Sequence, residues 1–464
     1  MSEPVPTCPR CLELLQRVAE LEQQVRDLQA LLGKNATNSS VPPSANPPDA
    51  PKPVVKQPTG RKSGGQPGHP GQARLRLPPE RITHVIPLIP DRCERCQAPL
   101  SQEAGPDDPE PSWHQFVELP PVSAVVTEFQ GHARTCACCG HVTRETIPAE
   151  VRAQTFGSRL TGALAYLGGC QHVTQRGLED VAKSLFDVPV SLGSVNTLQE
   201  QVSQALEAPH EEIAQVVRQA EVKHVDETGW KQAGQKRWLW TAVTATAAYF
   251  LVQVGRGAKA LHNVLGRVIR GVICSDRWTT YQRIPLKQRQ ICWAHLKRDF
   301  QAMADRGGGG AAIGEELLVY TGMLFRMWYK VRDGTRSRRW LAQQVERLRG
   351  EVQALLAQGA ACACAETAGT CAKMLEVEEA FWTFVSVPGL GPTNNAAERA
   401  LRPAVLRRKR SFGNHSEAGC MYVGRLLSVV QTLKLNGRSV LDYLQVAVEA
   451  HRRGSPIPKL FPIT

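Results

Sequence analysis

VKHVDETGW, residues 222–230, opens the part of the sequence that decides the fold. Its β-branched and aromatic residues predict a strand, and residues 238–244 and 249–254 predict two more. A helix-like segment at 258–270 leads into GVICSDRWTTYQ, a predicted buried strand that ends at Asp276. Three successive strands, a crossover helix and a fourth strand parallel to the first form the opening order of a ribonuclease H-like fold.

The predicted order brings two aspartates together, because Asp226 lies on the first strand and Asp276 ends the neighbouring fourth strand. A single aspartate at a strand end usually forms a turn or caps a helix. Together with Glu398, however, the aspartates form the set of acids that binds two divalent metals about 3.5–4 Å apart. Magnesium suits such a site, since it prefers hard oxygen ligands. Glu227 is a weaker candidate, because it points to the opposite face of the sheet.

Glu398 lies within PGLGPTNNAAERALRPAVLRRKRSFGNHS, residues 388–416, in the first turn of a predicted helix that Asn394 or Asn395 would cap. Two interpretations are open. Asn395 and Glu398 could form a capping box ahead of a solvated basic face. Alternatively, Glu398 binds metal and the cations that follow hold a DNA backbone against it. These cations are Arg399, Arg402, Arg407, Arg408, Lys409 and Arg410.

Length and charge set the class of protein. A chain of 464 residues is too long for one ordinary core and predicts a multidomain α/β protein. The net charge of +13 suits nucleic acid or an anionic membrane surface. The N-terminal residues lack the apolar core of a secretory signal, and residues 238–255 favour paired strands over a membrane span. These features predict a cytoplasmic protein without a membrane partner.

The first 80 residues predict a helix followed by a linker. Residues 1–33 carry apolar side chains at heptad spacing, which favours a two-stranded coiled coil and therefore a homo-oligomer. The alternative is an amphipathic helix that lies on its own chain. Residues 34–80 form a basic linker rich in Pro and Gly, which either follows a DNA backbone or acts as a solvated tether. The heptad positions are Cys11, Leu14, Val18, Leu21, Val25, Leu28 and Leu32.

Residues 81–150 predict a zinc-binding module. Two CxxC pairs flank strand-like runs at 113–118 and 122–130, which would form a hairpin and bring the pairs together. Four thiolates with tetrahedral reach suit a structural zinc; the alternative is four unrelated buried cysteines. The pairs are Cys93 with Cys96 and Cys136 with Cys139. The register of the second pair is open, because other donors lie near it: His132, Cys138 and His141.

Two further regions are helical by periodicity. Residues 151–220 contain a helix, a turn and a second helix that starts at Ser191, which suits a helix-turn-helix DNA-binding region or a plain helical hairpin. Residues 300–387 form a helical insertion in a core made of 221–299 and 388–464. This insertion could shape a DNA channel or a dimer contact.

Four motifs resemble those of insertion-sequence-66 family transposases: HVDETGW, SDRWTTYQ, CWAHLKRDF and TNNAAERALRPAVLRRKRSFGNHSEAG. The order of coiled coil, linker with GGQPGHPG and four-cysteine module is similar too. The resemblance implies an Asp-Asp-Glu triad of Asp226, Asp276 and Glu398. It also implies that His295 and Arg298 lie near the site, and that companion proteins are encoded by the same element. Arg277 and Trp278 depart from the family, which more often has smaller residues after the second aspartate.

These observations predict a DNA transposase with two Mg²⁺ ions per site and a structural Zn²⁺. It would bind the ends of a mobile element, cut them, and join the freed 3′-hydroxyls to target DNA, with water and 3′-OH as nucleophiles. Two alternatives are open. One is a ribonuclease H-like nuclease or resolvase that cuts without joining, and the other is a DNA-binding regulator whose acids are structural.

Overall fold

The computed structural model describes residues 9–32 and 74–461, which form a mixed α/β structure. The described residues divide into two compact units, 74–123 in one and 9–32 with 124–461 in the other. The strands are β1 (Ala133–Thr135), β2 (Val142–Arg144), β3 (Val222–Gln232), β4 (Gln235–Val243), β5 (Ala248–Gln253), β6 (Val272–Ser275) and β7 (Arg289–Ile291). The α-helices are α1 (Pro9–Leu32), α2 (Ala149–Arg152), α3 (Ser158–Cys170), α4 (Gln175–Phe186), α5 (Leu192–Ala205), α6 (Glu207–Gln219), α7 (Ala258–Leu265), α8 (Trp293–Asp305), α9 (Gly309–Arg332), α10 (Arg338–Ala360), α11 (Ala365–Leu375), α12 (Thr383–Ser386), α13 (Asn395–Ser411), α14 (Glu417–Leu435) and α15 (Val440–Arg452).

Five strands form the central sheet in the order β5-β4-β3-β6-β7. Strands β3, β4 and β5 pair antiparallel, with Asp226 opposite Thr241, and β6 pairs parallel with both β3 and β7. Helix α7 makes the crossover between β5 and β6. The predicted order of three strands, a crossover helix and a parallel fourth strand is therefore confirmed.

Helix α14 covers the edge strand β5. The backbone N–H of Ala248 donates to Thr432 Oγ1 at 3.0 Å, and that of Phe250 donates to Ser428 Oγ at 2.8 Å. Gly424 permits this close approach, because a Cβ there would lie 3.0 Å from the carbonyl oxygen of Phe250. Hydroxyls on one helix face thus satisfy donors that an open sheet edge would expose.

The helical insertion packs on the other end of the sheet. Helices α9 to α12 form a second apolar core with β7 and α8, in which Trp293, Phe300 and Phe384 are fully buried. The indole N–H of Trp293 donates to the carbonyl of Phe381 at 2.8 Å. The predicted helical character of residues 300–387 is confirmed, with α9 and α10 as its longest helices.

Helices α3 to α6 confirm the predicted helical region before the sheet. Ser191 caps α5, since its Oγ accepts the N–H of Ser194 at 3.2 Å, and Thr174 caps α4 in the same way. The helix, turn and helix of the predicted motif are present. Recognition of DNA by this pair stays a prediction.

Three expectations about local structure need correction. Residues 113–118 and 122–130 form no strands: Pro120 and Pro121 lie between them, and their apolar side chains do not form a buried face, with Phe116 80% and Val125 95% exposed. Strands β1 and β2 form a hairpin around the second cysteine pair instead. Helix α7 stops at Leu265 and not at 270, because Gly266 adopts φ +86°. The third correction, at the start of α13, concerns the candidate site.

Residues 9–32 are helical as predicted, and Leu14, Val18, Leu21 and Val25 are exposed along α1. Pairing of this helix with a second copy stays a prediction. Cys8 and nearly all of the predicted linker lie outside the described residues. In the described part of the chain, no helix is both long enough and apolar enough to cross a membrane.

Candidate active site

Asp226 lies near the middle of β3, where burial and three other acids act on it. Its Oδ1 accepts the backbone N–H of Glu227 at 2.9 Å. Its pKa is raised well above the ordinary value, first by burial and then by the charges of Glu227, Asp276 and Glu398. Acids from a strand, a loop and a distant helix therefore share one electrostatic environment.

Asp276 directly follows β6, beside β3. Its Oδ1 accepts the N–H of Trp278 at 2.9 Å, so the aspartate does form a turn, as single aspartates at strand ends often do. Its Oδ2 lies 3.8 Å from Arg256 Nη2 and keeps free lone pairs. The turn and metal-ligand roles are therefore compatible, because they use different oxygens.

Glu398 lies in the first turn of α13, as predicted. Its Oε1 is 3.3 Å from Arg298 Nη2 and 3.8 Å from His295 Nδ1. The resemblance had implied that both residues are near the site, and the structure brings both to the predicted glutamate. Arg298 compensates the charge of this carboxylate, whereas burial lowers the pKa of His295, so its imidazole adds no positive charge near neutral pH.

The capping box of Asn395 with Glu398, one of the two open interpretations, does not form, because Asn395 is the first residue of α13 and not its cap. Asn394 occupies the cap position, but its side chain makes no capping hydrogen bond. It is fully buried, and its Nδ2 donates to the carbonyl of Val225 on β3 at 2.7 Å. Its backbone N–H donates to Cys292 Sγ at 3.1 Å, and its carbonyl accepts the N–H of Glu398 at 3.2 Å. Asn394 therefore links the helix of Glu398 to the strand of Asp226.

The three predicted acids are neighbours, but they do not close on one point. Among the described residues, the group of three ligating side chains whose donor atoms all lie within 4.8 Å of one another is Cys292, His295 and Glu398. Cys292 was not a sequence-based candidate; burial raises the pKa of its thiol to about 11, so it is protonated near neutral pH. This cluster could hold a metal ion, which would have to displace the thiol proton, and it shares Glu398 with the predicted triad. Like-charge repulsion gives a physical reason for the separation of the carboxylates.

A buried network supports the site from the opposite face of β3. Glu227 accepts hydrogen bonds from Arg256 Nε and from the hydroxyl of Tyr281, each at 2.5 Å. The guanidinium of Arg256 stacks on Trp278 at 3.9 Å and on Trp238 at 4.8 Å from the ring centroids. Both oxygens of Glu227 are thus hydrogen-bonded, and Arg256 also lies 3.8 Å from Asp276, so Glu227 shares the electrostatic environment of the acids without a free oxygen for a metal. Arg256 and Tyr281 could not be identified from the sequence, because they lie 29 and 54 residues from Glu227 and belong to no local motif with it.

The six predicted DNA-binding cations do not share one surface. Arg399 and Arg402 are exposed within the first two turns after Glu398. Arg408 Nη1 bonds Thr228 Oγ1 at 2.9 Å and the carbonyl of Gly229, while Arg407 Nη1 donates to Gly168 at 3.0 Å. The helical period sends these side chains in different directions. Lys409 and Arg410 are exposed near the end of the helix.

The two cysteine pairs adopt the same turn. In each, the first cysteine N–H bonds the carbonyl five residues on, at 2.9 Å for Cys93 and 2.8 Å for Cys136. The fifth residue of each turn has positive φ, +63° at Gln97 and +73° at Gly140. Backbone N–H groups of the second cysteine and its preceding residue lower the pKa of Cys93 and of Cys136 alike. This repeat favours Cys136 with Cys139 as the second pair, and zinc binding by the four cysteines stays a prediction.

Two family models match the chain. The model described as "Transposase IS66 family" matches residues 153–422, a range that contains all three predicted acids. The model described as "Family of unknown function (DUF6444)" matches residues 8–75. The four cysteines of the predicted zinc module lie outside both matches.

A curated relative is "Uncharacterized protein y4qI" of Sinorhizobium fredii (strain NBRC 101917 / NGR234). It is 24% identical over 253 residues, which are 48% of this chain and 46% of the relative, so the match spans about half the length of each. The transposase model, by contrast, covers more than half of the chain and the whole central sheet. The chain belongs to the IS66 family of transposases.

Proposed function

We propose that this protein cuts DNA at the ends of a mobile element and joins the freed 3′-hydroxyls to target DNA. One observation carries the proposal. Asp226 on β3, Asp276 after β6 and Glu398 on α13 lie close enough for the two distant acids to raise the pKa of the first. Three carboxylates drawn from separate elements are the arrangement that metal-dependent phosphodiester chemistry needs.

The strand order supports a ribonuclease H-like core for this chemistry. Antiparallel β5, β4 and β3 continue into parallel β6 and β7, with α7 as the crossover. That order sets the middle of β3 beside the end of β6. The first two acids of an Asp-Asp-Glu triad would occupy these two positions.

The acids suit divalent metal ions. Burial alone would disfavour a carboxylate at Asp226, and neighbouring carboxylates disfavour it further. A doubly charged cation removes that penalty, and oxygen donors are the ligands that Mg²⁺ prefers. We assign Asp226, Asp276 and Glu398 as the residues that would hold it. When bound, such ions supply an activated water or 3′-hydroxyl and neutralise charge on the leaving oxygen.

Neighbouring side chains would position these acids. Arg256 fixes the orientation of Asp276, and Arg298 fixes that of Glu398. Arg399 and Arg402, exposed beside Glu398, would bind backbone phosphates. Tyr281 is fully buried and donates its hydroxyl proton to Glu227, so it is not a candidate for a covalent link to DNA. In the proposed two-metal chemistry, water and 3′-OH would be the nucleophiles.

The predicted zinc and self-association complete the proposal. The matched turns at the two cysteine pairs direct N–H groups at the thiols, as thiolate ligands of a structural Zn²⁺ require. The exposed apolar positions of α1 fit a parallel second copy of the helix. Companion proteins from the same element remain an expectation from the family resemblance.

The decisive experiment substitutes each acid conservatively. We expect Asp226→Asn, Asp276→Asn and Glu398→Gln to abolish cleavage of DNA that carries the element ends, with binding of that DNA nearly unchanged. Normal cleavage by any one purified variant would refute the triad. A non-catalytic regulator predicts no metal-dependent cleavage by the wild type. A pure nuclease cleaves, but gives no joined product from a precut 3′ end.

A further inference from the structure

A cavity of about 740 Å³ lies between α3 to α5 and the loop that joins α13 to α14. One wall carries His172, Thr174 and Gln199; the other carries Arg407, Arg410 and Tyr422. Arg407 and Arg410 come from RRKRSFGNHSEAG, a part of the family-like motif that the three acids do not use, and Tyr422 follows it on α14. The cavity is therefore separate from the candidate active site.

The cavity has a surplus of positive charge. Arg407 and Arg410 contribute two guanidinium groups, and in the described part of the chain Arg410 has neither an ion pair nor a side-chain hydrogen bond. Burial lowers the pKa of His172, and the charges of Arg407, Arg410 and Lys434 lower it further. Arg425 also lines the cavity but is paired with Glu207 at 2.6 Å. Glu200 is the one acid among the described residues that line the cavity.

Three residues that line the cavity carry a buried polar atom without a partner among the described residues. Tyr422 is only 4% exposed, and its hydroxyl makes no hydrogen bond there. Arg407 Nε and His172 Nδ1 are likewise buried without a partner in the described part of the chain. Buried polar groups are nearly always satisfied, because desolvation without a hydrogen bond is costly. Unsatisfied polar atoms at or directly behind the cavity wall favour a polar ligand over an apolar one.

Two helix N-termini add to this preference for an anion. Helix α14 begins after Ser416 and α4 begins after Thr174, and both capping residues line the cavity. The backbone N–H groups at a helix start attract negative charge.

The cavity wall is tied to the strand that carries Asp226. The carbonyl of Asn414 accepts the N–H of Ala233 at 2.8 Å, and the N–H of Asn414 donates to Lys231 at 3.0 Å. Gly413 is required beside it, since φ is +113° and a Cβ would lie 2.3 Å from the Lys231 carbonyl oxygen. A ligand in the cavity would thus be held in a fixed relation to the β3–β4 hairpin.

We propose that this cavity binds one phosphate of a DNA strand together with its attached nucleotide, away from the bond that is cut. Arg407, Arg410 and Tyr422 donate to the phosphate, and the amide of Gln199 faces the base. The volume exceeds that of a phosphate alone. Arg407 lies nine residues after Glu398 on α13, which is about 14 Å along the helix, or roughly four nucleotide steps. The inference rests on the proposed function, since it concerns the same DNA.

The test measures affinity of the full-length protein for a duplex of the DNA that borders the gene, across a range of salt concentrations. We expect Arg410→Ala to weaken binding roughly tenfold and to reduce the slope of log K against log salt by about 0.9, one phosphate contact. Tyr422→Phe should weaken binding roughly fivefold without changing the slope, because a neutral donor releases no counterion. Arg339→Ala on α10, exposed and outside the cavity, should leave both values unchanged.

A second arm uses wild-type protein and therefore does not depend on the folding of a variant. A neutral methylphosphonate replaces each phosphate of the duplex in turn. A methylphosphonate at one position, about four nucleotides from the cut, should lower the affinity of the wild type. The same methylphosphonate should cause no further loss of affinity in Arg410→Ala. The proposed phosphate contact would be refuted if Arg410→Ala left the salt slope unchanged and if its loss of affinity added fully to the loss from every methylphosphonate. Neither result would contradict the proposed function. Absence of any DNA binding by the wild type would remove the proposed function itself.

A third arm separates DNA from a small ligand. Titration with dAMP and with inorganic phosphate should show no saturable binding below the millimolar range. Tight binding of either compound that is lost in Arg410→Ala, with unchanged DNA affinity, would identify a small-molecule site and overturn the proposal.

Discussion

Removal of the Asn394 side chain tests how the fold sets the position of Glu398. In Asn394→Ala the backbone contacts to Cys292 and Glu398 remain possible. The hydrogen bond from the side-chain amide of Asn394 to the carbonyl of Val225 is lost. This leaves a buried carbonyl without a partner and a small void, since both residues are fully buried. Such a loss costs about 2 kcal/mol, which lowers the melting temperature by roughly 4 °C.

The effect on catalysis should exceed the effect on stability. The link between the strand of Asp226 and the helix of Glu398 is weakened, and a shift of about 1 Å in a catalytic group can cost on the order of a hundredfold in rate. We therefore expect the cleavage rate per folded molecule to fall by roughly ten- to a hundredfold, with DNA binding within about twofold of wild type.

The assay compares Asn394→Ala with Asn436→Ala, a variant of an asparagine that bonds backbone carbonyls on the far side of the sheet core. Thermal unfolding, DNA binding and cleavage are measured on the same preparations, at a temperature where both variants are folded. Both should lose stability, but Asn394→Ala alone should lose cleavage. Equal cleavage by the two variants would refute the positioning role of Asn394.

Three further outcomes are expected. The pKa of Asp226 is higher in the folded protein than in the unfolded chain, so its ionisation destabilises the fold as the pH rises from the unfolded pKa towards the folded pKa. With metal chelated, Asp226→Asn should therefore raise the melting temperature at pH 7. It should also flatten the fall of the melting temperature with pH. A lower melting temperature at pH 7 would contradict this. Arg298→Ala should reduce cleavage more than DNA binding, because it holds Glu398, whereas the exposed Arg399→Ala should reduce binding first. Zinc removal should unfold the cysteine module, which proteolysis within residues 81–150 would detect, and should leave the circular dichroism of the helical core largely unchanged. One zinc ion per chain should be released. Native protein that contains no zinc would disprove the site.

The central sheet could be predicted from the sequence because its signals are local. Alternating residues in β3 and apolar runs in β4 and β5 identify strands, and a crossover helix leaves few topologies open. Glu398 was predictable for the same reason, since the Asn-rich turn before it marks a helix start.

Features that depend on distant residues could not be predicted. The bond between Arg256 and Glu227, and that between Tyr281 and Glu227, join residues 29 and 54 positions apart. Asn394 shows the same limit: its sequence position predicts a cap, but a carbonyl on another element competes successfully for its side chain. In residues 113–130 the β-propensity was real, but a strand needs a partner and a buried face, and neither forms there.

The central claim is that Asp226, Asp276 and Glu398 bind the metal that cleaves DNA. The most direct measurement is cleavage of element-end DNA by Asp276→Cys with Mg²⁺ or Mn²⁺, because Mg²⁺ requires oxygen ligands whereas Mn²⁺ tolerates a thiolate better. We predict that this variant is inactive with Mg²⁺ and regains cleavage with Mn²⁺, while Asp276→Ala stays inactive with both. Full activity of Asp276→Cys with Mg²⁺ would contradict the assignment of Asp276 as a metal ligand.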